Sequence, residues 1–114
     1  MSAQGVRLLP ETIRERTAIS FTGSYQTIGT PISNASRILK FVNNSNVDVM
    51  ISWDGTNDHD MLPANSAFIL DVAANRQAGS SVGQLYIADA TQFYVSGAAG
   101  GGNTGSVYLI TMYA

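Results

Sequence analysis

From Thr17 onward the apolar positions fall in short runs broken by Gly, Asn, Asp and Pro, and the runs are rich in β-branched and aromatic residues. The clearest is Val47 to Trp53. Val47, Val49, Ile51 and Trp53 alternate with Asp48, Met50 and Ser52, which predicts a half-buried strand with Trp53 on the buried side. Arg37 to Val42 precedes it, and Asn43-Asn44-Ser45-Asn46 between them suits a tight turn, so the pair is expected to form a hairpin. Further strands are expected over Ala18 to Thr22, Gln26 to Gly29, Ala67 to Val72, Leu85 to Ala88, Gln92 to Ser96 and Ser106 to Tyr113. No segment carries a helical period. About eight strands spaced near ten residues apart predict an all-β fold, an antiparallel, jelly-roll-like β-sandwich, with a small barrel as the alternative. Its expected core holds Phe21, Leu39, Phe41, Val49, Ile51, Trp53, Phe68, Leu70 and Val107.

Two runs are apolar on both faces. The last strand turns Val107 and Leu109 one way and Tyr108, Ile110 and Met112 the other, while Leu39 and Phe41 stand opposite Ile38 and Val42. A domain of 114 residues has one core to offer, so the second face is expected to meet a partner. Residues 1–16 lack the strand pattern. They are read as an extended N-terminal arm beside a sandwich domain of residues 17–114, with a frayed terminus as the alternative. Arg7, Leu8, Leu9, Ile13 and Arg14 in this arm, together with Tyr108, Ile110 and Met112, are the candidate partner-binding residues.

Charge sharpens this division. Five of the fourteen charged residues, Arg7, Glu11, Arg14, Glu15 and Arg16, lie in the first sixteen positions. The rest of the chain is poor in charge and rich in Ser, Thr, Asn and Gly, a composition suited to a surface that lies against other subunits. A net charge of −2 with six basic residues argues against direct nucleic-acid binding, because each neutralised phosphate needs its own cation. Without cysteine there is no disulfide framework and no thiolate site. No apolar run approaches the roughly 18 residues of a membrane-spanning helix, and a soluble unit is expected.

Candidate chemistry is sparse. Asp54-Gly55-Thr56-Asn57-Asp58-His59-Asp60 gathers three carboxylates and the chain's one histidine, but its spacing fits no calcium loop, and a solvated hairpin loop is the expectation. The run Gly97 to Thr104 approaches a phosphate-binding loop, yet Asn103 replaces the lysine and a strand follows where a helix is needed. It is read as a glycine-rich connection between the last two strands. One histidine cannot serve as base in a nucleophilic scheme and also orient it, so no enzyme, metal site or cofactor is expected. A carbohydrate-binding β-sandwich stacking aromatics on sugar rings is the alternative of another class.

The stretch from Val49 to Asp71, with MISWDGTNDHDMLPANSAFIL between those ends, resembles small virion structural proteins of tailed bacteriophages. In those proteins a strand ends in an aromatic-Asp-Gly turn, and after a polar loop a Leu-Pro-Ala segment leads into the next strand. Gln92 to Gly97, the glycine loop, and Gly105 to Tyr113 are similar to their carboxyl-terminal hairpin. Together the two stretches cover about two-fifths of the chain. The resemblance implies a capsid decoration or cement protein, or alternatively a neck or tail component, located in the virion after assembly in the host cytoplasm. It also implies binding to the major capsid protein or other virion subunits, as a homo-oligomer with a trimer favoured.

Overall fold

The structure is a computed structural model that describes residues 8–71 and 87–113. The described residues form nine strands: β1 (Leu9–Pro10), β2 (Arg14–Thr17), β3 (Gln26–Thr27), β4 (Ser36–Ser45), β5 (Val49–Ser52), β6 (Asp60–Leu62), β7 (Ser66–Asp71), β8 (Tyr94–Gly97) and β9 (Gly105–Tyr113). One 3₁₀ turn, Ala18–Ser20, follows β2. In one sheet β1 and β2 both pair with β9, which pairs in turn with β4, and β4 with β7. The other sheet runs β3-β8-β5-β6, and every pairing in both is antiparallel.

The two sheets pack face to face as a β-sandwich. Period-two alternation puts Leu39 and Phe41 of β4 and Val107 and Leu109 of β9 on the inner side of the first sheet. Val49 and Ile51 of β5 and Val95 of β8 answer them from the second. Phe41 sits at the middle, its ring edge-to-face with Phe93 at 5.7 Å and with Phe68 at 5.6 Å. Phe21 is buried as expected, while Phe68 and Leu70 are only partly covered because β7 is an outer strand of its sheet.

Trp53 departs from the expected core. Its alternation does direct it inward, and its ring meets Phe93 at 4.9 Å, but it stands one residue beyond the end of β5. The indole is therefore 40% exposed. Parity set its direction and position along the strand set its burial.

The expected hairpin between Arg37–Val42 and Val47–Trp53 is not formed, because β4 and β5 belong to different sheets. Asn43 explains the corner. Its buried side-chain amide donates to the carbonyls of Val47 (2.8 Å), Leu62 (3.0 Å) and Pro63 (3.2 Å), and its Oδ1 accepts from the backbone N–H of Ser45. One side chain thus satisfies backbone groups that a ladder would otherwise pair, and the chain can cross from sheet to sheet. The glycine run likewise joins strands of opposite sheets, so β8 and β9 are not a hairpin. Asn103 secures it by donating to Ala18 O at 3.0 Å and Ala98 O at 2.8 Å. At its end Gly105 has φ +83°, and a Cβ there would fall 2.0 Å from Asn44 O, so only glycine admits the β4–β9 pairing at this point.

Other differences are local. Residues 18–20 form the 3₁₀ turn where a strand was expected, and of Leu85 to Ala88 the described part contributes a single bridge, Ile87 to Ser36. β6 pairs with β5 across the Asp54–Asp60 region, which makes that region a hairpin loop. Within the expected arm of residues 1–16, Leu9–Pro10 and Arg14–Thr17 are strands hydrogen-bonded to β9 of the same chain, so the expected boundary at residue 17 falls inside a strand run rather than before one.

Candidate interaction surface

The candidate partner-binding residues separate into three environments. Arg7 lies outside the described residues. Arg14 is buried, with Nε donating to Thr30 O at 2.7 Å and Nη2 to Pro31 O at 3.0 Å and to Glu11 Oε1 at 2.8 Å. Glu11 in turn accepts from the backbone N–H groups of Ser33 (3.2 Å) and Asn34 (2.8 Å) and from the Asn34 amide (3.0 Å). Burial alone would raise the Glu11 carboxyl, but the Arg14 guanidinium and the Ser33 and Asn34 donors outweigh it and hold the group below its ordinary value. Arg16 reaches the same way, with Nε donating to Thr27 O at 2.6 Å. These two arginines point inward from β2 and tie its edge to β3 and to the segment that follows it, closing one side of the sandwich. The Arg14 guanidinium is accordingly engaged within its own chain, and in the cleft of about 570 Å³ beside it Glu11, Arg14, Thr30, Ser33 and Asn34 are bonded to one another.

Leu8 and Ile13 form the second environment, exposed at 44% and 53% at the same end of the molecule. Leu9, half-buried, pairs with Tyr113.

Tyr108, Ile110 and Met112 form the third. Register places them on the outer face of the β1/β2-β9-β4-β7 sheet, opposite Val42, Lys40 and Ile38 of β4, while Val42 and Lys40 face Ala67 and Ile69 of β7. The result is a field of Ile38, Val42, Ile69, Tyr108, Ile110 and Met112, with Ile69 64% exposed. A cleft of about 330 Å³ opens in it between Tyr108 and the Asn65–Ala67 segment, floored by Val42. A solvated sheet face is normally polar at these positions, so this one has the composition of an interface.

The outer face of the other sheet, where Met61 of β6 stays 55% exposed beside Met50, is covered in part from within the chain, over Ser52 and Tyr94. Asp54 turns back over it: its Oδ1 accepts from Thr56 N (2.8 Å), Asn57 N (2.9 Å) and the Ser52 hydroxyl (2.9 Å), and its Oδ2 accepts from the Asn57 amide at 2.8 Å. Four donors, the Asn57 and Thr56 backbone N–H groups first, hold this carboxyl far below the usual carboxylate range. Gly55 lies on the Tyr94 ring, and the Tyr25 hydroxyl donates to Asp58. Desolvation, with Asp58 and then Asp54 adding negative charge, pushes Tyr25 up to about 12. His59 accepts the Trp53 N–H on Nδ1 at 2.9 Å. Among the described residues no three His, Asp or Glu side chains converge on a point that could hold a metal ion. Trp53 stands apart from Tyr25 and Tyr94, which project from the outer side of their sheet while Trp53 projects from the inner, so these aromatics make no shared platform for a sugar.

Sequence alternation identified the third environment. It missed the roles of Arg14, Arg16 and Asn43, all polar; the one signal available was a charged pair two residues apart, Arg14 and Arg16, as a strand edge carries when it points charge inward. Comparison with protein-family models, with curated proteins and with solved structures finds no match.

Proposed function

We propose that the chain is a non-enzymatic structural subunit of a tailed-phage virion that binds other virion subunits, as a capsid decoration or cement protein in the first place and as a neck or tail component in the second. The observation that carries this reading is the apolar outer face around Tyr108, Ile110 and Met112, half-buried and covered by no described loop, beside polar loops that engage mainly their own neighbours. A jelly-roll order belongs to the same reading. From β2 to β9 every consecutive pair of strands lies in opposite sheets except β5–β6, an alternation that supports it, and jelly rolls are frequent among viral shell proteins. Fold alone does not assign function, so the weight rests on the surface. Exposed Leu8 and Ile13 support a second docking point at the amino-terminal end, where these two side chains, outside the strands that pair with β9, would meet a neighbouring subunit. The partners in this reading are the major capsid protein or other virion subunits, and copies of the chain itself.

The test is electron cryo-microscopy of particles assembled with the full chain and with a variant carrying Tyr108→Ser and Ile110→Ser. Density for the sandwich on the shell exterior, lost in the variant, is the expected result. Density at the neck or tail moves the assignment there, and particles that never incorporate the chain overturn the proposal.

A further inference from the structure

The charges on the outer face identify what covers it. Lys40 stands in the middle row, between Ile69 on β7 and Ile110 on β9, exposed and without an ion pair or hydrogen bond among the described residues. An ammonium set among apolar side chains is costly to cover unless the covering surface supplies a carboxylate. The face has two of its own: Asp71 of β7, opposite Ile38, is already engaged, and Glu15 is the other. Glu15 of β2 is exposed beside Tyr108, and Ser106 Oγ donates to its Oε2 at 2.6 Å, which fixes the carboxylate at the rim and leaves Oε1 without a partner among the described residues. Glu15 lies two strands across and one side-chain row along from Lys40, a separation of roughly 12 Å at ordinary strand spacing and rise. Tyr108, Val42 and Ile110 fill the ground between them.

A two-fold axis lying in the plane of the face, through the midpoint of the Lys40–Glu15 line and perpendicular to it, carries each lysine onto the other copy's glutamate. Resting on the reading of this face as an interaction surface, we infer that it is self-complementary: a second copy of the chain docks on it about a two-fold axis, with reciprocal Lys40–Glu15 pairs flanking an apolar centre of Tyr108, Val42 and Ile110. Four strands by three rows give roughly 400 Å² of face per copy, about half of a standard interface, so the pair is a weak one that separates on dilution. Its basic unit is a symmetric pair, in place of the trimer expected from sequence.

Sedimentation velocity on the full chain from about 1 to several hundred micromolar tests this. A monomer–dimer equilibrium is expected. Lys40→Glu and Glu15→Lys each raise its dissociation constant about tenfold or more, and the double charge exchange returns it to within about threefold of the parent, since only the exchanged pair restores both contacts. Both side chains are exposed, and an unchanged circular dichroism spectrum verifies that each variant is folded. A monomer at every concentration, single reversals without effect, or a double variant that stays dissociated overturns the inference. Its failure is distinct from that of the virion reading: a dimer that never enters particles leaves the pairing standing, and a strict monomer that is incorporated leaves the virion role standing.

Discussion

The two outer faces of the sandwich answer the same physical problem differently. Each sheet has two sides and the domain has one core, so each outer face carries side chains that the core cannot take. On the β3-β8-β5-β6 sheet the Asp54–Asp58 loop folds back over Ser52 and Tyr94 and is locked by hydrogen bonds to a single carboxylate. On the β1/β2-β9-β4-β7 sheet no described loop does this, and Ile69, Tyr108, Ile110 and Met112 remain at the surface. A face closed by its own chain contributes to folding, whereas a face left open contributes only when another molecule arrives. Mutations on the two sides should therefore separate into stability effects and assembly effects.

The largest effect is expected where the open sheet is tied to the closed one. Arg14→Met removes the guanidinium and leaves the Glu11 carboxylate without its cation, at a cost of about 3–5 kcal/mol in chemical denaturation. Should stability be unchanged, β2 is a detachable arm and the sandwich does not need that edge. On the covered face, Gly55→Val forces a β-branched residue to φ +82° with its Cβ 3.1 Å from the Tyr94 ring, and should cost about 2–3 kcal/mol while leaving self-association intact. Ile69→Ser on the open face is the converse. The side chain is already largely in water, so unfolding should shift by no more than about 0.5 kcal/mol while association weakens. An equal loss of stability at Ile69 and Gly55 would erase the distinction between the faces.

The smallest effect is a pH dependence confined to the covered face. Tyr25 titrates near 10.0 when unfolded and is raised to about 12 in the folded loop. A folded value above the unfolded one leaves the contribution intact below pH 10 and removes it as the pH climbs toward 12, where the unfolded chain ionises first. Tyr25→Phe should flatten the thermal melting profile across that window. An unchanged alkaline profile would separate Tyr25 from the roof over this sheet.

What the sequence determined by itself was direction. Alternation is local and has period two, so Leu39, Phe41, Val49, Ile51, Val107 and Leu109 could be sent inward, and Tyr108, Ile110 and Met112 outward, without knowing which strand lies beside which. The Asp54–Asp60 segment could be read as a loop because its turn residues act within a few positions. Which strands share a sheet was decided only in three dimensions. The corner after β4 depends on Asn43 reaching carbonyls as far away as Pro63, and the edge strand β2 depends on Arg14 and Arg16 meeting carbonyls of Thr27, Thr30 and Pro31. Those bonds join polar side chains that show no periodicity to backbone carbonyls 11 to 20 positions away, so no short window along the chain contains them. Trp53 marks the limit between the two: its parity was legible, but it stands one residue past the end of β5 and is 40% exposed, which parity alone does not show.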